Sequence, residues 1–199
     1  MPPLIFGVAF GNLLQGVPFK LSEFLMPTYH GSFFGLLNPF ALLCGVVSLS
    51  MIVMQGATWL QMKTTDAVHD RARFVAQISG ALVIVTFVGA GFWVQNMDGY
   101  VVVSGLDIAA QSNPLNKVVE VKEGAWMLNF EKYPLMWAAP VIGVVMPLLA
   151  IIASRFEEGG LAFLTSSLPN AGVVITAGFD MLPFIMPSLI TFVRLRPQE

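Results

Sequence analysis

The chain has 199 residues, of which 56% are hydrophobic and only 11% charged, with a formal net charge of −2. Soluble domains carry about 25% charged residues spread over their surface; here the longest uncharged run, between Glu23 and Lys63, is 39 residues. The pattern excludes a soluble globular fold, the charge balance excludes a nucleic-acid partner, and the single cysteine, Cys44, excludes a disulfide framework or a cysteine metal cluster.

A helix crosses the ~30 Å hydrocarbon core with about 20 apolar residues. Five stretches meet or approach that length: residues 3–19, 36–62, 74–95, 134–154 and 161–193. In lipid every backbone amide needs a partner inside its own segment, so these read as helices. Runs such as Ala81-Leu82-Val83-Ile84-Val85 lack the alternation of a membrane β-barrel. The predicted fold is therefore an all-α, polytopic transmembrane bundle of about five helices in a single domain, 1–199, with a long loop at 96–133.

The first segment, 3–19, is short for a span and holds Gly7, Gly11 and Gly16. Gly7 and Gly11 have the small-xxx-small spacing that lets two membrane helices approach closely. Asn12 and Gln15 share a face of the same helix, where such amides commonly hydrogen-bond across to a neighbour. No basic leader precedes this segment, as if the chain began inside something longer. In the later segments Pro140, Pro147, Pro169, Pro183 and Pro187 are expected to break or kink helices.

Loop charges set the predicted orientation. The linker 63–73 holds Lys63, Arg71 and Arg73, and Arg155 follows the fourth segment. By the positive-inside rule both are cytoplasmic, which puts loop 96–133 outside. The arginines of the tail, Arg194 and Arg196, then fall on the wrong side. Trp59, Trp93, Trp126, Trp137 and Tyr133 lie near segment ends or in the long loop, where aromatic residues anchor to the interface.

The inventory of chemistry is sparse. The two histidines, His30 and His69, lie in linkers without a histidine or cysteine three or four residues away. The 11 methionines have no histidine partner at helical spacing inside an apolar segment, so packing accounts for them and no haem ligand set is expected on this chain. Asp180 is the one carboxylate inside a hydrophobic segment. Such residues are functional candidates by default. About 19 residues into the last segment, it is expected near the membrane exit and solvated through the break at Pro183, with a proton-path role as the weaker alternative.

Several strings in order resemble one family. The stretch Pro3 to Phe19, with Gly7, Gly11, Asn12, Gln15 and Gly16, is followed by Leu37-Asn38-Pro39-Phe40 and Gln55-Gly56-Ala57-Thr58. Then come Asp98-Gly99-Tyr100, Ser112-Asn113-Pro114-Leu115, Gly124-Ala125-Trp126 and Pro183-Phe184-Ile185-Met186-Pro187. The set is similar to subunit II of cytochrome bd ubiquinol oxidases. That resemblance implies an accessory subunit of a complex in the bacterial inner membrane, which oxidises quinol from the quinol pool and reduces oxygen to water in aerobic respiration. It implies that the haems, two of type b and one of type d, belong to a companion subunit I, and that this chain packs against that subunit and membrane lipid. No catalytic, cofactor or metal residue is expected here, the family-motif residues being structural.

Family members have about eight membrane helices in two four-helix bundles. Against that pattern the chain reads as the middle portion, lacking the first helices and the last, with 189–199 resembling a truncation or frameshift. Apolar faces left uncovered would make it aggregate in detergent. A small transporter or channel subunit, or a non-functional fragment, are the alternatives. An inverted internal repeat would mark the transporter, and none is visible.

Overall fold

The computed structural model describes residues 1–22, 26–102 and 119–182. Six α-helices occur there: α1 (Pro2–Gln15), α2 (Pro39–Lys63), α3 (Asp66–Gln95), α4 (Leu128–Lys132), α5 (Ala138–Arg155) and α6 (Gly159–Met181). Two short antiparallel pairs join them: β1 (Phe19–Leu21) with β2 (Pro27–Tyr29), and β3 (Asp98–Val102) with β4 (Val119–Glu123).

Among the described residues four helical stretches are long and apolar enough to span: α2, α3, Pro134–Arg155 containing α5, and α6. The first of the five expected segments forms the shorter helix α1. Helix α1 has 14 residues, about 21 Å at 1.5 Å per residue, short of the ~30 Å core. It stops at Gln15, not Phe19. Gly16 adopts φ 85°, and Pro18 two residues later cannot continue a helix.

The other boundaries move for local reasons. Helix α2 starts at Pro39 because Asn38 caps it, its Oδ1 accepting from the Ala41 amide at 2.7 Å. Proline at the first helical position completes that signal. Helix α3 begins eight residues before the expected 74, at Asp66. Its first two turns carry Asp66, His69, Asp70, Arg71 and Arg73, so they extend beyond the apolar stretch. Most of linker 63–73 is therefore helix, with only Thr64 and Thr65 between α2 and α3.

The described part of the last segment ends at Met181. Leu182 is extended, with ψ 136°, as a residue before proline must be. Pro183, Pro187 and the tail 189–199 lie outside the described residues, as do Asn113 and Pro114. Pro147 and Pro169 sit inside α5 and α6, both fully buried, and neither ends its helix. Loop 96–133 is not simply irregular: β3 pairs with β4 from Asp98↔Glu123 to Val102↔Val119, and α4 follows.

Helix α2 is central, packing on α1, α3 and α6, while α5 and α6 form a hairpin that α3 joins through α5. Close approach depends on small residues. A Cβ on Gly7 would fall 2.6 Å from the Gly45 Cα, and one on Gly11 the same distance from the Ala41 Cα. A Cβ on Gly172 would meet the Ala139 carbonyl and the Gly143 amide nitrogen at 3.0 Å. The spacing read as small-xxx-small is thus the α1–α2 contact.

Candidate functional site: a polar ladder below an apolar cavity

At one end of the bundle the turns between α2 and α3 and between α5 and α6 lie together, carrying Lys63, Arg71, Arg73 and Arg155. Arg73 links them: its Nη1 contacts Glu157 Oε1 at 3.0 Å, and its Nη2 donates to the Arg155 carbonyl at 2.7 Å. Glu157 takes φ 65° at the α5–α6 turn, the left-handed region. Lys63 lies over the Trp59 ring, 5.3 Å from its centroid.

From this basic end a ladder of polar side chains rises into the bundle. Gln55, Thr58 and Gln61 recur every three residues on α2, so they share one face. Gln61 Nε2 donates to the Ser154 carbonyl at 3.0 Å, and Ser154 Oγ donates back to Gln61 Oε1 at 2.8 Å. The Gln61 carbonyl lies 2.9 Å from His69 Nδ1. One turn deeper, Thr58 and Ser166 hydroxyls are 2.8 Å apart. Deeper again, Gln55 Nε2 donates to Ser167 Oγ at 2.7 Å, and Asn170 Nδ2 donates to Gln55 Oε1. In lipid the alternative to such bonds is a bare polar group, which is why amides and hydroxyls pair between membrane helices.

Above Asn170 the character changes. A cavity of about 640 Å³ runs along α6 from Asn170 to Asp180, within the ~300–1,000 Å³ range of ligand pockets. Its walls are apolar, with Phe6 and Phe10 of α1, Val47 and Met51 of α2, Phe87 of α3 and Val173 of α6. The polar side chains at α6 are Asn170, Thr176 and Asp180. Thr176 donates to its own helix at the Gly172 carbonyl. Asn170 Oδ1 is buried and accepts no hydrogen bond among the described residues.

The far end is closed by residues after β4. Trp126 is 1% exposed and packs with Leu14, Phe40, Val94 and Met181. Asn129 Nδ2 donates to the carbonyls of Phe179 and Leu182 at 2.9 and 2.7 Å, satisfying the end of α6. Phe130 stacks against Phe179 and Trp137.

The expected site residues scatter between these features. Asp180 lies at the far end of α6 as anticipated, but it is only 8% exposed, covered by the cap rather than solvated. Asn12 and Asn38 come together as a latch: Asn38 Nδ2 donates to Asn12 Oδ1 at 3.1 Å, and Asn12 Nδ2 donates to the Leu36 carbonyl at 2.7 Å. Gln15 is half-buried and stays out of that network, while Gly16 ends α1 and Pro39 begins α2. Gly99 of β3 is pressed against Ala125 and Trp126. Asp98 and Tyr100 occupy the β3 register opposite Glu123 and Val121. Gln55 joins the ladder, whereas a Cβ on Gly56 would meet nothing within 4 Å. Thr58 also falls in the quoted string, whereas Gln61, Ser154, Ser166, Ser167, Asn170 and Asn129 were not singled out from sequence. The three-residue recurrence of Gln55, Thr58 and Gln61 in an apolar helix was the available signal.

Among the described residues no three His, Cys, Asp or Glu side chains gather as a metal site. His30 is exposed in the α1–α2 connection and His69 is engaged at the α2 terminus. This donor set does not fit an axial haem pair.

Comparison with known proteins accounts for the collinear motifs. Residues 1–195 match the family described as cytochrome bd terminal oxidase subunit II. The probable cytochrome oxidase subunit 2 of Haemophilus influenzae is 56% identical over 188 residues, 94% of this chain and 50% of that protein. The cytochrome bd-I ubiquinol oxidase subunit 2 of Escherichia coli K12 is 53% identical over 189 residues, again 94% of this chain and 50% of that protein. The chain spans about half the length of the curated relatives it matches. With its apolar helices it is a multi-pass membrane protein, and it belongs to the cytochrome bd terminal oxidase subunit II family.

Proposed function

We propose that the chain acts as the non-haem-ligating membrane subunit of a quinol:oxygen oxidoreductase, packed against a haem-bearing subunit I in a bacterial inner membrane. The observation that carries the reading is the identity of 53–56% over 94% of the chain to subunits 2 of such oxidases. On this reading the two haems b, the haem d and the chemistry on quinol belong to the partner, and among the described residues no three His, Cys, Asp or Glu side chains gather. The clustering of Lys63, Arg71, Arg73 and Arg155 at one end supports a cytoplasmic position for that end and an outside position for the β3–β4 region.

On this reading the bundle's contribution is mechanical. The polar ladder fixes α2 against α5 and α6, the latch fixes α1 against α2, and the apolar outer faces meet lipid and the partner. The test is co-expression of the tagged chain with a subunit I in cells lacking both, followed by affinity purification. The reading expects subunit I in the eluate in equal proportion; a chain that inserts in the membrane and recovers no subunit I overturns it.

A further inference from the structure

Asp180 lies 21 residues beyond the first residue of α6, about 32 Å along the axis. It has therefore cleared the ~30 Å core and stands at the interface farthest from the basic end. Water is at hand at that level, yet the residue is only 8% exposed. What covers it is the segment after β4, residues 124–132, with Trp126 and Phe130 buried against the bundle. The polar hold of that segment on α6 comes from one amide. Asn129 Nδ2 donates to the carbonyls of Phe179 and Leu182, on either side of Asp180.

Among the described residues the carboxyl has no hydrogen bond or ion pair, and the elements around it bring no cation. The cavity wall there presents Leu14 from α1, Cys44 from α2, Gln95 from α3, Met127 and Phe130 from the cap, and Trp137 and Pro140 at the start of α5. Cys44 is the other titratable side chain of that wall. Lys20, Asp98, Lys122, Glu131 and Lys132, at the same end of the bundle, are exposed. Burying an unpaired carboxylate is costly, so the closed cap and the ionised carboxyl exclude each other. By linkage, ionising Asp180 works against the closed cap, and lifting the cap favours ionisation.

We propose that residues 124–132 form a proton-operated lid over the far end of the cavity. The lid lies closed on α6 while the Asp180 carboxyl carries its proton, and it lifts when that proton passes to water at the interface. Hinge positions flank it. Gly124 takes φ 68° where β4 hands over to the lid, a conformation open to glycine without steric cost. Tyr133 leaves α4 with a non-helical φ of −129° and ψ of 85°. The sign follows from the burial: closure is favoured at low pH and lost as pH rises. The inference does not depend on the oxidase reading, and its failure would leave that reading untouched.

The test is acrylamide quenching of Trp126 fluorescence in the full chain in phosphatidylcholine nanodiscs. Trp59→Phe, Trp93→Phe and Trp137→Phe leave Trp126 as the reporter, and with the lid closed it is 1% exposed. With Asp180 present, quenching is expected to at least double between about pH 5 and about pH 9. Asp180→Asn, which is neutral throughout, is expected to hold the low-pH value across the range. Asp180→Ala makes the same comparison where the asparagine variant does not fold. Quenching that stays constant across the range with Asp180 present, or an equal rise in the neutral variants, would overturn the proposal.

Discussion

Gln61 and Ser154 exchange hydrogen bonds in both directions, Nε2 to carbonyl at 3.0 Å and Oγ to Oε1 at 2.8 Å, joining α2 to α5 where both are buried. A pair satisfied on both sides is the arrangement that makes a buried amide tolerable in lipid. Gln61→Leu removes both bonds and strands the Ser154 hydroxyl, at a cost of about 1–2 kcal/mol. Ser154→Ala leaves the amide-to-carbonyl bond in place and costs less. A double-mutant cycle on thermal unfolding in lipid nanodiscs checks this, with coupling of about 0.6 kcal/mol or more expected.

Glycine substitutions divide by what a Cβ would meet. Gly172→Ala places one 3.0 Å from the Ala139 carbonyl and the Gly143 amide nitrogen, backbone that cannot step aside. Parting α5 from α6 costs about 1–3 kcal/mol. Gly56→Ala and Gly178→Ala meet nothing within 4 Å, and in helix interiors they are expected to be neutral or stabilising by up to about 1 kcal/mol. The order of the three melting temperatures is the readout.

Asn38 both caps α2 and holds Asn12. Asn38→Ala is expected to destabilise by about 0.5–2 kcal/mol through the cap, with a further loss at Asn12. Asn38→Asp keeps the cap acceptor but cannot donate to Asn12 Oδ1. The loss in Asn38→Asp therefore reads the latch, and the difference between the two variants reads the cap.

Glu157 combines an exposed ion pair with a left-handed backbone at φ 65°. Exposed pairs contribute about 0–1 kcal/mol, and the left-handed conformation costs a non-glycine residue roughly 1–2 kcal/mol. Glu157→Gly is therefore expected to be neutral or stabilising. Its unfolding midpoint should also respond less to added salt than that of the parent.

These contacts show where sequence reasoning reaches and where it stops. Length and charge gaps located α2, α5 and most of α6 because spanning depends on composition, which is local. The same criterion missed the first turns of α3, since Asp66 to Arg73 are charged yet helical. Gly7 and Gly11 were legible because their spacing is a contact rule in itself. The ladder was not: Asn170 meets Gln55 across 115 positions, and nothing in either neighbourhood names the other. Asp180 falls at the far end of α6, and its burial, against the expected solvation, depends on Trp126, Asn129 and Phe130 folding back over the α6 terminus. The family motifs Gly124-Ala125-Trp126 and Asp98-Gly99 acquire a physical role there, as the parts of a cap.

On the proposed function, this chain serves an oxidase whose haems are held by its partner. The most direct measurement is a reduced-minus-oxidised optical spectrum of material purified through a tag on this chain, with and without co-expressed subunit I. With the haems on the partner, b-type and d-type haem bands are expected only when subunit I is present, and none from the chain alone. Haem bands from the chain purified by itself, or their absence from a complex that contains both subunits, would contradict it.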